Sequence, residues 1–413
     1  MTTTASSSKL PATPTPFLSL SPAHLARLQP HTYVYAHLNP LSDSSRPSVR
    51  INGRTESQFR PATVNTGSLT HANGSAVVRI GDTTAVCGVR GEILSTQDIP
   101  AWKVSSASAV SGEDALQKGN QKDDDGNQDD DDDSEIHAFN LLVPNLSLST
   151  GCSPAILPGS APSSLAQSLS HQLLSLLHSS RLIRASDLRI WSHPSLTQQQ
   201  PPPSQPQTED ASMEDPSDSP TEVPELKAFW TLYIDVLIIS LAGNPFDAAW
   251  AAVIAALRDT RLPHAWWDMD NEMVLCSDRV SESRKLQLRG MPVSSSFAVF
   301  EADPVGDWRK VIIAASRHKG RQNVQGAMGD DDGDHGGVKK RWILADPDAF
   351  EESLCQERVC IVVDKEAERP DRTKILRMEK TGGFYVGKHE IKELVKLASG
   401  RWDEWQRLLE GLG

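Results

Sequence analysis

The 413-residue chain has no apolar run approaching the roughly 20 residues of a membrane-crossing helix. Its longest apolar stretches, "VLII" (236–239) and "AAWAAVIAAL" (248–257), have the lengths of a strand and of a buried helix. Cysteine is scarce. The five residues Cys87, Cys152, Cys276, Cys355 and Cys360 are odd in number, widely spaced and free of any Cys-x-x-Cys pair. That argues against a disulfide framework and a zinc knuckle, so we read them as buried thiols of a reducing compartment. No G-x-x-x-x-G-K-[ST] loop is present to cradle a nucleotide phosphate, and the 12 histidines form no H-x-x-x-H or H-E-x-x-H pattern. "GDDDGDH" (329–335) lacks the terminal glutamate of a calcium loop. No metal and no cofactor is therefore expected. The opening "MTTTASSSKLPATPTPFLSLSPAH" has neither a basic start followed by an apolar core nor an arginine, so neither a secretory signal nor a mitochondrial leader is expected.

Charge is present in quantity but unevenly placed. The net charge is −13, from 41 Lys+Arg and 54 Asp+Glu. Residues 104–135 carry 11 acids and 2 bases, residues 197–224 carry 6 acids and no base, and residues 329–335 carry 4 acids and no base. The remainder holds 39 bases against 33 acids, a net of +6. The acidity thus belongs to low-complexity segments with too little apolar surface to order themselves. What remains is mildly basic and compatible with a polyanionic partner.

Outside those segments the pattern alternates between strands and helices. Residues 75–90, "SAVVRIGDTTAVCGVR", form an expected hairpin turning at Gly81-Asp82. Leu165, Leu169, Leu173, Leu176 and Leu177 share one stripe of a helix over 163–184. In "YIDVLIISLAGNPFDAAW" (233–250), a strand holding Asp235 leads through Gly243-Asn244-Pro245 into a helix. Asn244 is the expected N-cap, Pro245 the first helical residue and Asp247 the first-turn acid; the helix runs to about Pro263. Its small face, Ala248, Ala251, Ala252 and Ala255, suits close packing on a sheet. Further strands are expected at 295–302 and 310–316, and two more around Asp346-Pro347 within 341–364. A terminal helix carries Ile391, Leu394, Val395, Trp402, Trp405, Leu408 and Leu409. Strand clusters followed by helices in each half imply an α+β chain with a pseudo-duplicated two-layer core.

The order of several short motifs resembles the RNase PH family of phosphorolytic exoribonucleases. They are Arg60-Pro61, Gly67-Ser68, Gly74-Ser75 and Gly81-Asp82-Thr83, then "LLVPNLSLS" (141–149), "RLIRASDLRIW" (181–191), the 233–250 stretch, "MPVSSSFAVF" (291–300) and "LADPDAFEE" (344–352). The resemblance spans about residues 57–395 and is most marked to the non-catalytic ring subunits of the eukaryotic RNA exosome. It implies the RNase PH-like (ribosomal protein S5 domain 2-like) fold: an N-terminal extension (1–45), a first half (46–265, inserts 104–135 and 197–224) and a second half (266–413, insert 318–340). It also implies a hetero-hexameric ring of RNase PH-like subunits, S1/KH cap subunits, an associated 3′-to-5′ nuclease and RNA as partners, no membrane, and a place in nucleus, nucleolus and cytoplasm.

Phosphorolysis needs a cationic clamp for inorganic phosphate and an acid to assist the departing nucleotide. Active relatives place arginines after the "VPN"-like strand. Here residues 149–168 contain neither Arg nor Lys, and no arginine occurs between Arg90 and Arg181. Of the two aspartates of active relatives, the first corresponds to Asp235 and the second falls on Ala242, with Asp247 one helical turn beyond. Asp235, Ala242 and Asp247 therefore read as a vestigial site with no catalytic residue. The expected role is structural, within 3′-to-5′ RNA processing and degradation. The alternatives are an active phosphate-dependent exoribonuclease, using Asp235 and Asp247 with a partner's arginines, and an acidic interaction protein that works away from RNA. RNA contact is expected to be electrostatic, through Arg60, Arg79 and Arg90.

Because the acidic segments cannot offset their ordering entropy, deleting residues 197–224 is expected to leave soluble expression unchanged. Insoluble expression of that deletion would contradict their composition-based reading.

Overall fold

The computed structural model describes residues 21–38, 48–100, 102, 134–159, 163–192, 225–301, 341–366, 369–383 and 386–411. The three acidic segments and the 310–316 strand expectation fall outside them, except that Ser134 and Glu135 open a short helical turn. No helix among the described residues is long and apolar enough to cross a membrane.

Between Ala62 and Ser95 the Val- and Thr-rich runs become three antiparallel strands, β1 (Ala62–Thr66), β2 (Gly74–Ile80) and β3 (Thr83–Ser95). Gly81 supplies the positive φ (57°) that the tight β2–β3 turn needs. β4 (Leu142–Leu148), β5 (Arg189–Ser192) and the 16-residue β6 (Glu225–Ser240) complete a sheet of order β1-β2-β3-β6-β4, with β5 also on β6. β4 runs parallel to β6 and the other pairs are antiparallel. Side chains alternate across the pleat. Ala85, Cys87, Val89, Ile234, Val236 and Ile238 point into the core, whereas Arg90, Asp235, Leu237 and Ile239 are exposed on the other face.

The second sheet has order β8-β7-β9-β10, built from β7 (Val293–Glu301), β8 (Arg341–Ala345), β9 (Glu357–Glu366) and β10 (Arg369–Gly382). Every residue of β7 is buried, because both of its faces are covered. Phe297 and Val299 enter the main core, while Ala298 and Phe300 join a second cluster with Val34, Leu38, Trp342 and Leu344. Helix α1 (Pro22–Leu28) leads into α2 (Pro30–Leu38), which supplies Val34 and Leu38. Part of the N-terminal extension is therefore core to the second half.

Helices α3 (Ser164–Ser180), α4 (Pro245–Asp259), α5 (Ala349–Leu354) and α6 (Lys388–Glu410) complete the elements. α3 buries Leu169, Leu173, Leu176 and Leu177, but Leu165, placed on the same stripe by its spacing, is 38% exposed in the first turn. α4 ends at Asp259, four residues before Pro263, with Thr260 extended and its hydroxyl donated to the Ala256 carbonyl. Its Ala248, Ala252 and Ala255 are fully buried. α5 replaces the simple turn expected at Asp346-Pro347: Asp348 and Glu351 form a reciprocal capping box that nucleates a short helix. Among the cysteines, Cys87 and Cys152 are buried and Cys355 and Cys360 half-buried, whereas Cys276 is exposed at the end of a small ribbon, contrary to its expected burial.

The α4 and α6 helices meet at one point of chain. Trp250 Nε1 donates to the Pro292 carbonyl and Trp402 Nε1 to the Met291 carbonyl, both at 2.8 Å. Trp250 is 1% exposed. Trp250→Ala is expected to cost about 3–5 kcal/mol through its cavity and the orphaned carbonyl, read as a lowered urea midpoint. Trp191→Ala, at a 39% exposed site, is expected to move that midpoint little.

Candidate functional site

The turn after β6 is the place where the sequence points to chemistry, and the structure turns it into a junction between the halves. Gly243 (φ 95°) and Asn244 (φ 49°) both take left-handed backbone. A Cβ on Gly243 would lie 2.4 Å from the Ala349 nitrogen, so α5 approaches too closely for any other residue. Asn244 stands at the expected N-cap position but makes no capping bond. Its Nδ2 instead donates to Asp247 Oδ2 (2.6 Å) and Asp346 Oδ1 (2.9 Å).

Asp346, 2% exposed, accepts most of the bonds at this junction. Its carboxylate receives Arg60 Nε (2.8 Å), Arg60 Nη2 (2.7 Å) and the Arg60 backbone N–H (3.0 Å), a bidentate clasp closed by Asn244. Arg54 donates twice to the Asp346 carbonyl at 3.0 Å. Arg50 Nε pairs with Glu351 Oε1 at 2.8 Å, and its Nη1 with the Ala345 carbonyl at 2.6 Å. Burial alone would push the Asp346 carboxyl up; the hydrogen bonds and charge of Arg60, with Asn244, more than offset that and hold it below the usual carboxylate range. Burial and the neighbouring Arg50 pull the Arg54 guanidinium down to about 10.

Asp247 has the opposite balance. Burial pushes its carboxyl up, against the hydrogen bonds it accepts from Asn244 and from the Ser296 N–H (2.9 Å) and hydroxyl (3.0 Å). It borders a void of about 10 Å³, roughly what a single water requires. Asp247, 7% exposed, thus fastens α4 to β7. Ala242 lies in the same junction, where its N–H donates to Thr83 Oγ1 (3.1 Å) and its carbonyl accepts from Arg60 Nη1 (3.1 Å) and the Ala349 N–H (3.1 Å).

Asp235 is elsewhere. It stands on the exposed face of the first sheet, opposite Gly88, and among the described residues accepts only a long bond from Asn145 Nδ2 (3.3 Å). α4 lies against the other face, so Asp235 and Asp247 stand on opposite sides of the sheet. Arg79 and Arg90 share the exposed face with Asp235: Arg79 pairs with Asp82 (3.2 Å), and Arg90 pairs with Glu92 (3.1 Å) and lies 5.5 Å over the Tyr233 ring. Arg60 does not join them. Its expected position beside a channel is corrected by its 7% exposure and its bonds to Asp346, Ala242 and Gly243, which leave the guanidinium inside the fold.

Beside the junction lies a cleft of about 200 Å³, lined by Leu165, Gln172, Asn244, Phe246, Glu352, Arg358 and Glu379 among others. The loop after β4 is fixed near it by Ser149 N–H to the Ile238 carbonyl (2.9 Å) and Leu241 N–H to the Cys152 carbonyl (3.0 Å). The one arginine of this cleft, Arg358, is paired with Glu352 at 2.9 Å. Burial pushes the Glu352 carboxyl up despite that pairing. Glu379 takes Gln172 Nε2 at 3.3 Å and Arg377 at 3.1 Å. The cleft thus presents two glutamates and an arginine already committed to one of them.

This architecture and the motif order agree with comparisons against known proteins. Residues 58–263 match the model of the RNase PH 3′ exoribonuclease family, domain 1. Exosome complex component rrp43 of Schizosaccharomyces pombe is 30% identical over 294 residues, 70% of this chain and 80% of that protein. The chain belongs to the RNase PH family. Exosome complex component Rrp42 of Methanothermobacter thermautotrophicus is a more distant relative, 24% identical over 241 residues, 58% of this chain and 62% of that protein. An Archaeoglobus fulgidus exosome chain, solved with RNA bound to the active site, superposes with a TM-score of 0.50 at 18% identity, covering 91% of this chain and 96% of that one, a likeness of fold.

Within the RNase PH fold, the residues that sequence reasoning missed are Arg50, Arg54, Asn244 and Asp346 as a hub. Asp346 stands before a proline inside a recognisable motif, but nothing in its spacing names a partner 286 positions away.

Breaking a buried pair by deleting one member costs about 3–5 kcal/mol, so Arg60→Ala is expected to lower the urea midpoint far more than Arg79→Ala. Asp346 also sets a sign for pH. Its folded value is depressed, so its stabilisation is complete above about pH 4, the unfolded carboxyl range. It is lost as pH falls through the lower folded value. Asp346→Asn is expected to lose stability at pH 7 and to show a flatter acid limb than the parent; an unchanged acid limb contradicts the assignment.

Proposed function

We propose that this chain is a non-catalytic structural subunit of an RNA exosome core ring, supporting 3′-to-5′ RNA processing and degradation, including maturation of ribosomal RNA precursors and mRNA turnover. The observation that carries the reading is the cleft beside Asn244, which offers Glu352, Glu379 and an Arg358 already paired in place of an open cationic clamp. The separation of Asp235 from Asp247 by the sheet supports it, as does the lack of Arg and Lys in 149–168. The relatives whose names carry the exosome support the complex. On this reading the partners are other RNase PH-like subunits, S1/KH cap subunits, an associated 3′-to-5′ nuclease and RNA, in nucleus, nucleolus and cytoplasm. Arg79 and Arg90, exposed but each held by a local acid, are minor electrostatic contributors to RNA contact.

The reading has two tests. Native complexes purified through this chain are expected to contain RNase PH-like partners by mass spectrometry. The purified chain, given short RNA and inorganic phosphate, is expected to release no nucleoside diphosphate. Phosphate-dependent release that vanishes in Asp247→Asn or Asp235→Ala would sink the non-catalytic reading.

A further inference from the structure

The fold places a group of cations together that no stretch of sequence displays. After α4 the chain forms a two-residue ribbon, Arg261–Leu262 against Arg284–Lys285, in which Arg261 stands directly opposite Lys285. Like charges facing one another across a ladder are destabilising, and an acid nearby would be the ordinary remedy. None of Arg258, Arg261, Arg284 or Lys285 has a carboxylate partner among the described residues, whereas Lys374 stands opposite Asp364 in the β9–β10 ladder and acts on its carboxylate. Arg258, at the end of α4, has one described hydrogen bond, to the thioether sulfur of Met291 at 3.5 Å, a weak acceptor.

Arg258, Arg284, Lys285 and Lys374 border two hollows that share Lys285, Leu286 and Gln287. One, of about 820 Å³, has Arg258 and Lys374 on its walls and extends to Trp402. The other, of about 610 Å³, is bounded by Arg284, His264 and Trp191. Acids are present too, Asp187 in the smaller and Asp364, Glu366 and Glu410 in the larger, but basic side chains outnumber them along the whole trough. Its aromatic end is open. Trp191 is 39% exposed, and His264 is stacked at 5.9 Å on Trp266, itself 40% exposed. Large aromatic faces left to water beside unpartnered cations suit a ligand with phosphates and flat bases. A purely acidic peptide would use the cations and leave the rings idle.

We propose that this trough, from Trp191 and His264 past Arg284 and Lys285 to Arg258 and Lys374, binds single-stranded nucleic acid, which on the exosome reading above is RNA. The cations track the backbone and the exposed rings stack bases, so affinity depends on salt and little on sequence. The site is distinct from the cleft at Asn244 and from Arg79 and Arg90 on the outer sheet face.

The test uses the full purified chain and fluorescein-labelled single-stranded RNA of about 12 nucleotides, long enough for a site of this class. Polarisation is expected to show binding that weakens steeply between about 50 and 200 mM salt. Arg284→Glu with Lys285→Glu is expected to weaken it at least about tenfold, and Lys392→Glu with Lys396→Glu, on the exposed side of α6, to leave it unchanged. Trp191→Ala is expected to weaken binding by a similar factor at every salt concentration, because stacking releases no counterions. Arg284→Gln with Lys285→Gln serves if the reversed pair fails to fold. No binding, or binding indifferent to Arg284 and Lys285, overturns the proposal. Competition by poly-glutamate at equal charge, with no effect of Trp191→Ala, overturns it in favour of an acidic protein segment. Co-purification judges the ring reading separately: RNase PH-like partners recovered with an RNA-indifferent chain remove the trough alone, and RNA binding that needs Arg284 and Lys285 without such partners removes the ring alone.

Discussion

The Asp346 carboxylate ties three segments from both halves at one buried point. It is buried, and an isolated buried carboxylate would be strongly unfavourable. What makes it tolerable is geometry: two guanidinium N–H groups and a backbone N–H from Arg60, with the Asn244 amide on the remaining lone pairs. Each partner belongs to a different segment, the 50–60 approach, the 242–244 turn and the end of β8. None of the three can shift without leaving a buried charge short of a bond. Arg401 extends the arrangement to α6, donating to the Arg60 carbonyl at 3.2 Å with its guanidinium over Phe59 and Trp405.

That constraint also bears on chemistry. The β6–α4 turn is a favoured place for a catalytic group, at a strand end and a helix start. Here its backbone and side chains are consumed by the junction. Asn244 is spent between two carboxylates, Gly243 is pressed against α5, and Asp247 is closed in by Ser296. Two neighbouring carboxylates with opposite pKa shifts would, in an open cleft, suggest an acid and base pair. At 2% and 7% exposure they indicate a structural ion network, the other common origin of such shifts.

Legibility in the sequence followed the range of the interaction. Period-two and helical patterns are local, so the 75–90 hairpin, α4 and α6 could be read directly, with α6 burying Leu394, Trp402, Trp405 and Leu409. Leu165 failed because a first-turn residue can share a stripe and still overhang the cleft. α5 failed because its capping box, Asp348 with Glu351, competes with a turn signal from Pro347 that is louder in sequence. The lack of Arg and Lys in 149–168 is plain in the sequence wherever the loop goes. The burial of Arg60 was not legible, because an Arg-Pro beside a strand says nothing about an aspartate contributed by the other half.

The same distinction applies to charge. A net of −13 describes a body that repels polyanions as a whole, yet fields in salt water fade over roughly 8–10 Å. Over that range a strand of phosphates meets only the side chains at its own place of contact. Arg79 and Arg90 are each neutralised by an acid two or three residues away, a pairing that sequence proximity supplies. Arg261 and Lys285 are brought face to face by folding, and neither is ion-paired among the described residues. An uncompensated pair costs stability, and on the physical argument alone it is the feature hardest to attribute to the scaffold. Arg60 with Asp346 is its converse: a cation so well compensated that it holds the halves together and has nothing left to offer a ligand.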